Sequence, residues 1–229
     1  MKYKVLSMND ASEQLSAIKD IKQMMERSSR FISLSGWSGI SAGICALVGA
    51  GFAYNVISMS RYAADNDLGE MQHPYLNNGS ISVHELIGDK LIIIAALTFI
   101  GALVSAFFFT YSRSRKTNTP IWGTSAQRLL VNVSIPMMAG GAFLLKLIQH
   151  GSYSVIAPGC LLFYGLALLN GSKYTLGEIR YLGYCEIILG IVSCWFTGWG
   201  LYFWAVGFGV LHILYGAVML NKYEKKEAF

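Results

Sequence analysis

Uncharged apolar runs dominate this chain. Crossing a hydrocarbon core of about 30 Å takes about 20 helical residues. Runs of roughly that length recur at 31–58, 90–111, 125–148, 153–170, 179–197 and 201–221. Lipid offers the backbone no hydrogen bonds, so such runs must close their own as helices. The pattern predicts an all-α integral membrane protein with six transmembrane helices in one membrane domain, 31–221. The fourth run is short and carries Pro158 in its first turns, where a missing amide costs little. Ahead of the spans, residues 10–30 open with Asp10 and Glu13 in capping-box spacing and set Leu15, Ile18, Lys22 and Met25 on an imperfect heptad stripe. This predicts an amphipathic cytoplasmic helix within residues 1–30. It either lies on the inner leaflet, basic side chains toward lipid phosphates, or docks a cytoplasmic partner or a second copy of the chain. Residues 222–229 form a short cytoplasmic tail.

Basic residues set the topology, because Lys and Arg near span ends stay on the cytoplasmic side. With both termini inside, fifteen of the eighteen Lys and Arg residues fall on the inner side. Arg61 and Lys90 fall outside, and Lys146 lies within a span. Trp195, Trp199, Tyr202 and Trp204 gather at the expected outer interface, with Trp37 and Trp122 near the inner one, as an aromatic belt requires. Compact loops and four cysteines without CxxC spacing (Cys45, Cys160, Cys185, Cys194) point to reduced packing residues and to a bacterial inner membrane.

Composition agrees with the pattern: 54% of residues are apolar and 14% charged, with a mean hydropathy of +0.45, against roughly 25% charged in soluble domains. The lipid bilayer is the first partner implied. The formal charge of +5 follows from the inner loops and calls for no nucleic acid. The outer segment, 59–89, carries Asp65, Asp67, Glu70, Glu85 and Asp89 with His73 and His84. Its spacing matches no metal signature, and it is expected as a solvated acidic loop. Asn78-Gly79-Ser80 has the form of a glycosylation acceptor. The inner stretch SRSRKTNTP, 112–120, is expected as a basic loop facing anionic headgroups or an acidic partner.

No HExxH, GxSxG, Walker or paired CxxC pattern occurs in the spans, so no catalytic residue, cofactor or metal is assigned. The candidates are instead the ionisable residues at membrane depth, which cost about 2.5–3.5 kcal/mol even on permissive scales. These are Glu186, His212 and Lys146. Glu186 lies thirteen residues before Trp199 and His212 thirteen after it. In an antiparallel hairpin both therefore sit about 18–20 Å below the turn. Their surroundings share a pattern, with Gly183 and Gly190 around Glu186 and Gly209 and Gly216 around His212. Gly36, Gly39 and Gly43 repeat the spacing on the first span. Glycines on one stripe let membrane helices approach closely. The expectation is that the fifth and sixth helices pack glycine against glycine, with Glu186 facing His212 between them. Lys146 and His150, with Glu85 and Asp89, are candidates for an outer vestibule. Asn132 and Asn170 are further polar positions nearer the inner side.

Two functional classes follow. One is a membrane-embedded binding, sensory or scaffolding protein with a Glu186/His212 polar pair. The other is a small-solute or proton-coupled transporter or channel using the same two residues. A membrane enzyme would need further ligands or a nucleophile beyond a Glu and a His. Oligomerisation is permitted by the small-residue seams.

Overall fold

The computed structural model describes residues 35–67, 83–117 and 121–224, with Ser16 alone from the N-terminal segment. The expected amphipathic helix at 10–30 and its docking role therefore lie outside the described residues, as do residues 68–82 and 225–229. All regular structure among the described residues is helical. Helix α1 is Gly36–Asp67, α2 Val83–Thr117, α3 Thr124–Gln149, α4 Ile156–Gly171 and α5 Ile179–Ser193. The last rod, 200–224, is called α6 here. It starts as an α-helix at Gly200–Trp204, widens into π-helical turns over Ala205–Leu211, returns to α-helix at His212–Met219 and widens again over Leu220–Glu224.

Among the described residues, five stretches are long and apolar enough to cross a membrane: Gly36–Met59, Lys90–Thr117, Thr124–Gln149, Tyr153–Tyr174 and Gly200–Tyr223. The sixth expected span, 179–197, is helical only through the 15 residues of α5. At 1.5 Å per residue α5 covers about 22 Å, short of the hydrocarbon core. The chain leaves the helix after Ser193 and reverses through a turn in which Gly198 holds a φ of 91°, a left-handed conformation that excludes most side chains. Two loops are also shorter than expected. Helices α1 and α2 reach into the outer segment at both of its ends, and α2 runs on to Thr117 through two thirds of the basic stretch 112–120. Arg and Lys are good helix formers, and no Gly or Pro occurs in 112–117. The Ser112 hydroxyl donates to the Phe108 carbonyl and that of Thr117 to the Arg113 carbonyl.

The helices form a row in the order α2, α1, α6, α4, α3, with α5 packed along α4 and touching α6. Glycines set these contacts, but with partners other than those expected. A Cβ on Gly36 would stand 2.6 Å from the Gly216 carbonyl, and one on Gly43 2.6 Å from the Gly209 carbonyl. The α6 seam therefore closes on α1. A Cβ on Gly183 would stand 3.0 Å from the Gly165 carbonyl, and one on Gly190 3.0 Å from the Pro158 carbonyl. The α5 seam closes on α4. The two seams do not face each other.

One polar contact holds α3 to α4 where helix chemistry alone would fail. Pro136 lies inside α3 and has no amide to give to the Asn132 carbonyl four residues earlier. The Asn170 side chain, from α4, donates to that carbonyl at 2.8 Å, while the Asn132 side chain donates to the Arg128 carbonyl at 2.8 Å. In lipid an orphaned carbonyl has no water to turn to. We expect Asn170→Ala to lower stability by about 1–2 kcal/mol. In a Pro136→Ala background the restored amide should remove most of that loss. Thermal unfolding of the four proteins in detergent measures the coupling, and additive losses would contradict the assignment.

Candidate functional site

Glu186 and His212 meet in the interior although their glycine seams do not. Along an α-helix three residues turn about 300° and four about 400°, so Glu186, three after Gly183, and His212, four before Gly216, each sit about 40–60° to one side of a seam glycine. Glu186 thus flanks the α5–α4 contact and reaches toward α6, and His212 flanks the α6–α1 contact and reaches toward α4. Glu186 is fully buried and His212 is 7% exposed. The His212 Nδ1 lies 3.5 Å from Glu186 Oε1.

The closer partners of His212 are two groups that were not singled out in the sequence. Its Nδ1 lies 3.0 Å from the Gly207 carbonyl, and its Nε2 lies 2.7 Å from the Tyr164 hydroxyl. A carbonyl only accepts, so Nδ1 carries the hydrogen, and in the neutral ring Nε2 accepts from Tyr164. The π-helical turns over Ala205–Leu211 end where His212 begins, and the Gly207 carbonyl five residues back faces its ring. Gly207 also makes room for the acid, since a Cβ there would stand 2.6 Å from Glu186 Oε2. Neither carboxyl oxygen of Glu186 has a hydrogen-bond partner. The carboxyl therefore stands beside an imidazole that Gly207 and Tyr164 already orient. In this dry setting a neutral pair is far cheaper than an unpaired charge.

Tyr164 and His212 also form part of a cavity wall. A hollow of about 370 Å³ is lined by α1, α2, α3, α4 and α6, and Tyr164, Trp204, Phe208 and His212 make up one side of it. Their rings pack as a continuous surface, with centroids 5.1 Å apart for Trp204–Phe208, 5.0 Å for Tyr164–Phe208 and 5.3 Å for Tyr164–His212. Glu186 is not among the lining residues. It stands behind His212, on the side away from the hollow.

The remaining candidates lie elsewhere. Lys146 and His150 are exposed at the end of α3, where Lys146 donates to Gln149 Oε1 at 3.3 Å. That end is closed by a Schellman motif. Gly151, with a φ of 70°, donates to the Ile148 carbonyl, and the Ser152 amide donates to that of Leu147, both at 2.9 Å. The side chains of Glu85 and Asp89, the proposed vestibule partners, lie outside the described residues. Among the described residues no three His, Cys, Asp or Glu gather as a metal site.

A second polar cluster, not anticipated in the sequence, ties the start of α5 to the end of α6. Glu178 Oε1 accepts hydrogen bonds from Lys222 Nζ and, at 2.8 Å, from the Tyr223 hydroxyl. The α5/α6 hairpin is thus fastened at the Gly198 turn and at Glu178, with Glu186 and His212 in contact between them. Partial burial works to raise the pKa of the Glu178 carboxyl, but the hydrogen bonds from Lys222 and Tyr223 outweigh it and hold the group below the usual glutamate range.

Two outcomes follow. Because the folded state holds Glu178 more acidic than the unfolded chain does, its contribution is complete above the ordinary carboxylate range and is lost as pH falls through the lowered value. The unfolding temperature in detergent should drop more steeply between about pH 5 and pH 3 in the native protein than in Glu178→Gln. At the interior site, His212→Ala leaves Tyr164 and Gly207 unpaired and should cost about 1–3 kcal/mol. Glu186→Met removes a carboxyl that has no hydrogen bond, so it should be neutral or stabilising. A large loss in Glu186→Met would show that the carboxyl itself holds the helices.

No known protein family, curated protein or solved structure matches this chain.

Proposed function

We propose that this chain is a membrane-embedded binding protein that senses occupancy of its interior hollow at His212. One observation carries the reading. The Tyr164–His212 pair forms part of the hollow's wall, while Glu186 stands behind the imidazole and out of the hollow. A ligand against that wall would press on a histidine whose other face meets an uncommitted carboxyl. A shift of the imidazole away from the Gly207 carbonyl would bring its Nδ1–H onto Glu186 Oε1, 3.5 Å away.

In this reading the chain forms one membrane domain, 31–221. The short α5 completes a sixth crossing by drawing on the exposed aromatic residues of its turn, Trp195, Phe196 and Trp199, at the outer interface. Both termini are then cytoplasmic, as the distribution of Lys and Arg requires. Residues 10–30 lie against the inner leaflet or carry the signal to a partner. Placement in a bacterial inner membrane rests on the compact loops and on four cysteines that are all free.

Coupled transport would need a hydrated path to Glu186. The carboxyl is instead fully covered, and hydrophobic side chains such as Leu161 and Leu189 close around the Gly207 position beside it. Proteoliposomes holding the protein and a pH-sensitive dye test the choice. We expect a pH gradient to drive no proton flux above that of empty vesicles, in the native protein and in Glu186→Gln alike. Flux in the native protein that Glu186→Gln abolishes would replace binding with proton-coupled transport.

A further inference from the structure

We propose that the hollow is a lateral-access site for one hydrocarbon chain of a bilayer lipid. The inference rests on the binding reading above and names its ligand class.

Depth comes first. The α2 residues that line the hollow run from Ala95 to Ala106, about 16 Å of helix at 1.5 Å per residue. No charged residue lies between Lys90 and Arg113. The hollow therefore occupies the middle of the membrane, where the surrounding solvent is hydrocarbon.

Access comes second. Helices α2 and α3 stand at the two ends of the row and share no extensive interface, yet both line the hollow. The gap between them faces lipid, for Phe99 and Leu103 of α2 line the hollow and are still more than half exposed. A lipid chain can enter there without crossing a headgroup layer.

Chemistry comes third. The walls are largely apolar, with Ala42, Ala46 and Ala102 among their small residues and Trp204 and Phe208 among their rings. The hydroxyls of the two hydroxyl-bearing lining residues, Thr98 and Tyr164, are already spent as donors. That of Thr98 donates to the Ile94 carbonyl at 2.7 Å, and that of Tyr164 serves His212. Apolar cavities of this kind stay dry and take up apolar ligands, and about 370 Å³ falls in the size range of single-ligand sites. A bound chain would also cover the Tyr164–His212 pair, which is how occupancy would be registered.

Trp204, on the hollow's wall, reports on the occupant. The full chain is prepared with Trp204 as its only tryptophan, the other four changed to Phe, and reconstituted in phosphatidylcholine vesicles whose acyl chains are brominated at mid-chain. We expect strong quenching of Trp204. Filling the hollow with Ala46→Leu and Ala102→Leu should remove most of that quenching, while a Trp199-only protein, whose indole lies outside the hollow, should be unchanged by the same filling. Should the double variant fail to fold, Ala102→Leu alone serves, and extraction of the purified protein for tightly held lipid gives a separate reading. Quenching that filling does not alter would overturn the proposal, as would quenching by aqueous iodide instead of bromolipid. Relief of bromolipid quenching at high protein-to-lipid ratio, with cross-links between chains, would assign the hollow to a second copy. These outcomes are independent of proton flux, so loss of the lipid site and loss of the binding reading are distinguishable.

Discussion

The contact between the backbones of α1 and α6 is the constraint on which the other features depend. Gly36 and Gly43 on one helix and Gly209 and Gly216 on the other leave no room for a Cβ on either side. In lipid, where no hydrophobic effect drives apolar helices together, this closeness is what makes the pairing favourable. With its glycine face committed to α1, α6 can offer only the flank beside that face to the remaining helices. His212 lies on that flank. The same logic commits Gly183 and Gly190 of α5 to α4 and leaves Glu186 on the adjoining flank. The acid and the imidazole meet because each is a neighbour of a seam, and neither belongs to a seam shared by the two helices.

The hollow is the other consequence. Small residues bring backbones together where they face small residues, as along α1 and α6. On α2 and α3 small residues of the concave side, such as Ala95, Ala102, Ala106 and Gly141, line the hollow, and a Cβ on Gly141 would meet nothing within 4 Å. The row bends around this space without closing it. An apolar void that opens on hydrocarbon is stable in a bilayer, because lipid chains supply the contacts that a closed core would have made.

The site combines residues that differ in how visibly they stand out along the chain. Glu186 and His212 are conspicuous as ionisable groups in apolar runs, and counting from Trp199 placed them at one depth. Tyr164 is a tyrosine in mid-span, away from the interfacial belts where that residue usually sits, and that signal was available. Gly207 offered none, because its importance arises from a π-helical widening that presents a carbonyl to the His212 ring. Pro136 and Asn170 were each legible as polar or helix-breaking oddities. Their joint role depends on which helices lie side by side. Glu178, at the edge of an apolar run, looks like an ordinary interfacial charge until Lys222 and Tyr223 are brought to it.

The sequence by itself determined that this is a helical membrane protein, that its first, fifth and sixth apolar runs carry glycine stripes, and that Glu186 and His212 stand at equal distances from Trp199. Those are properties of composition and of helical periodicity, and both act within one segment at a time. Tertiary structure decided which glycine seam meets which, that the 179–197 segment stops helical at Ser193, and that a hollow opens beside His212. Each of these depends on a choice among partners with nearly equal apolar surfaces. Between such surfaces hydropathy cannot discriminate, and the selection is made by shape at the few places where backbones touch.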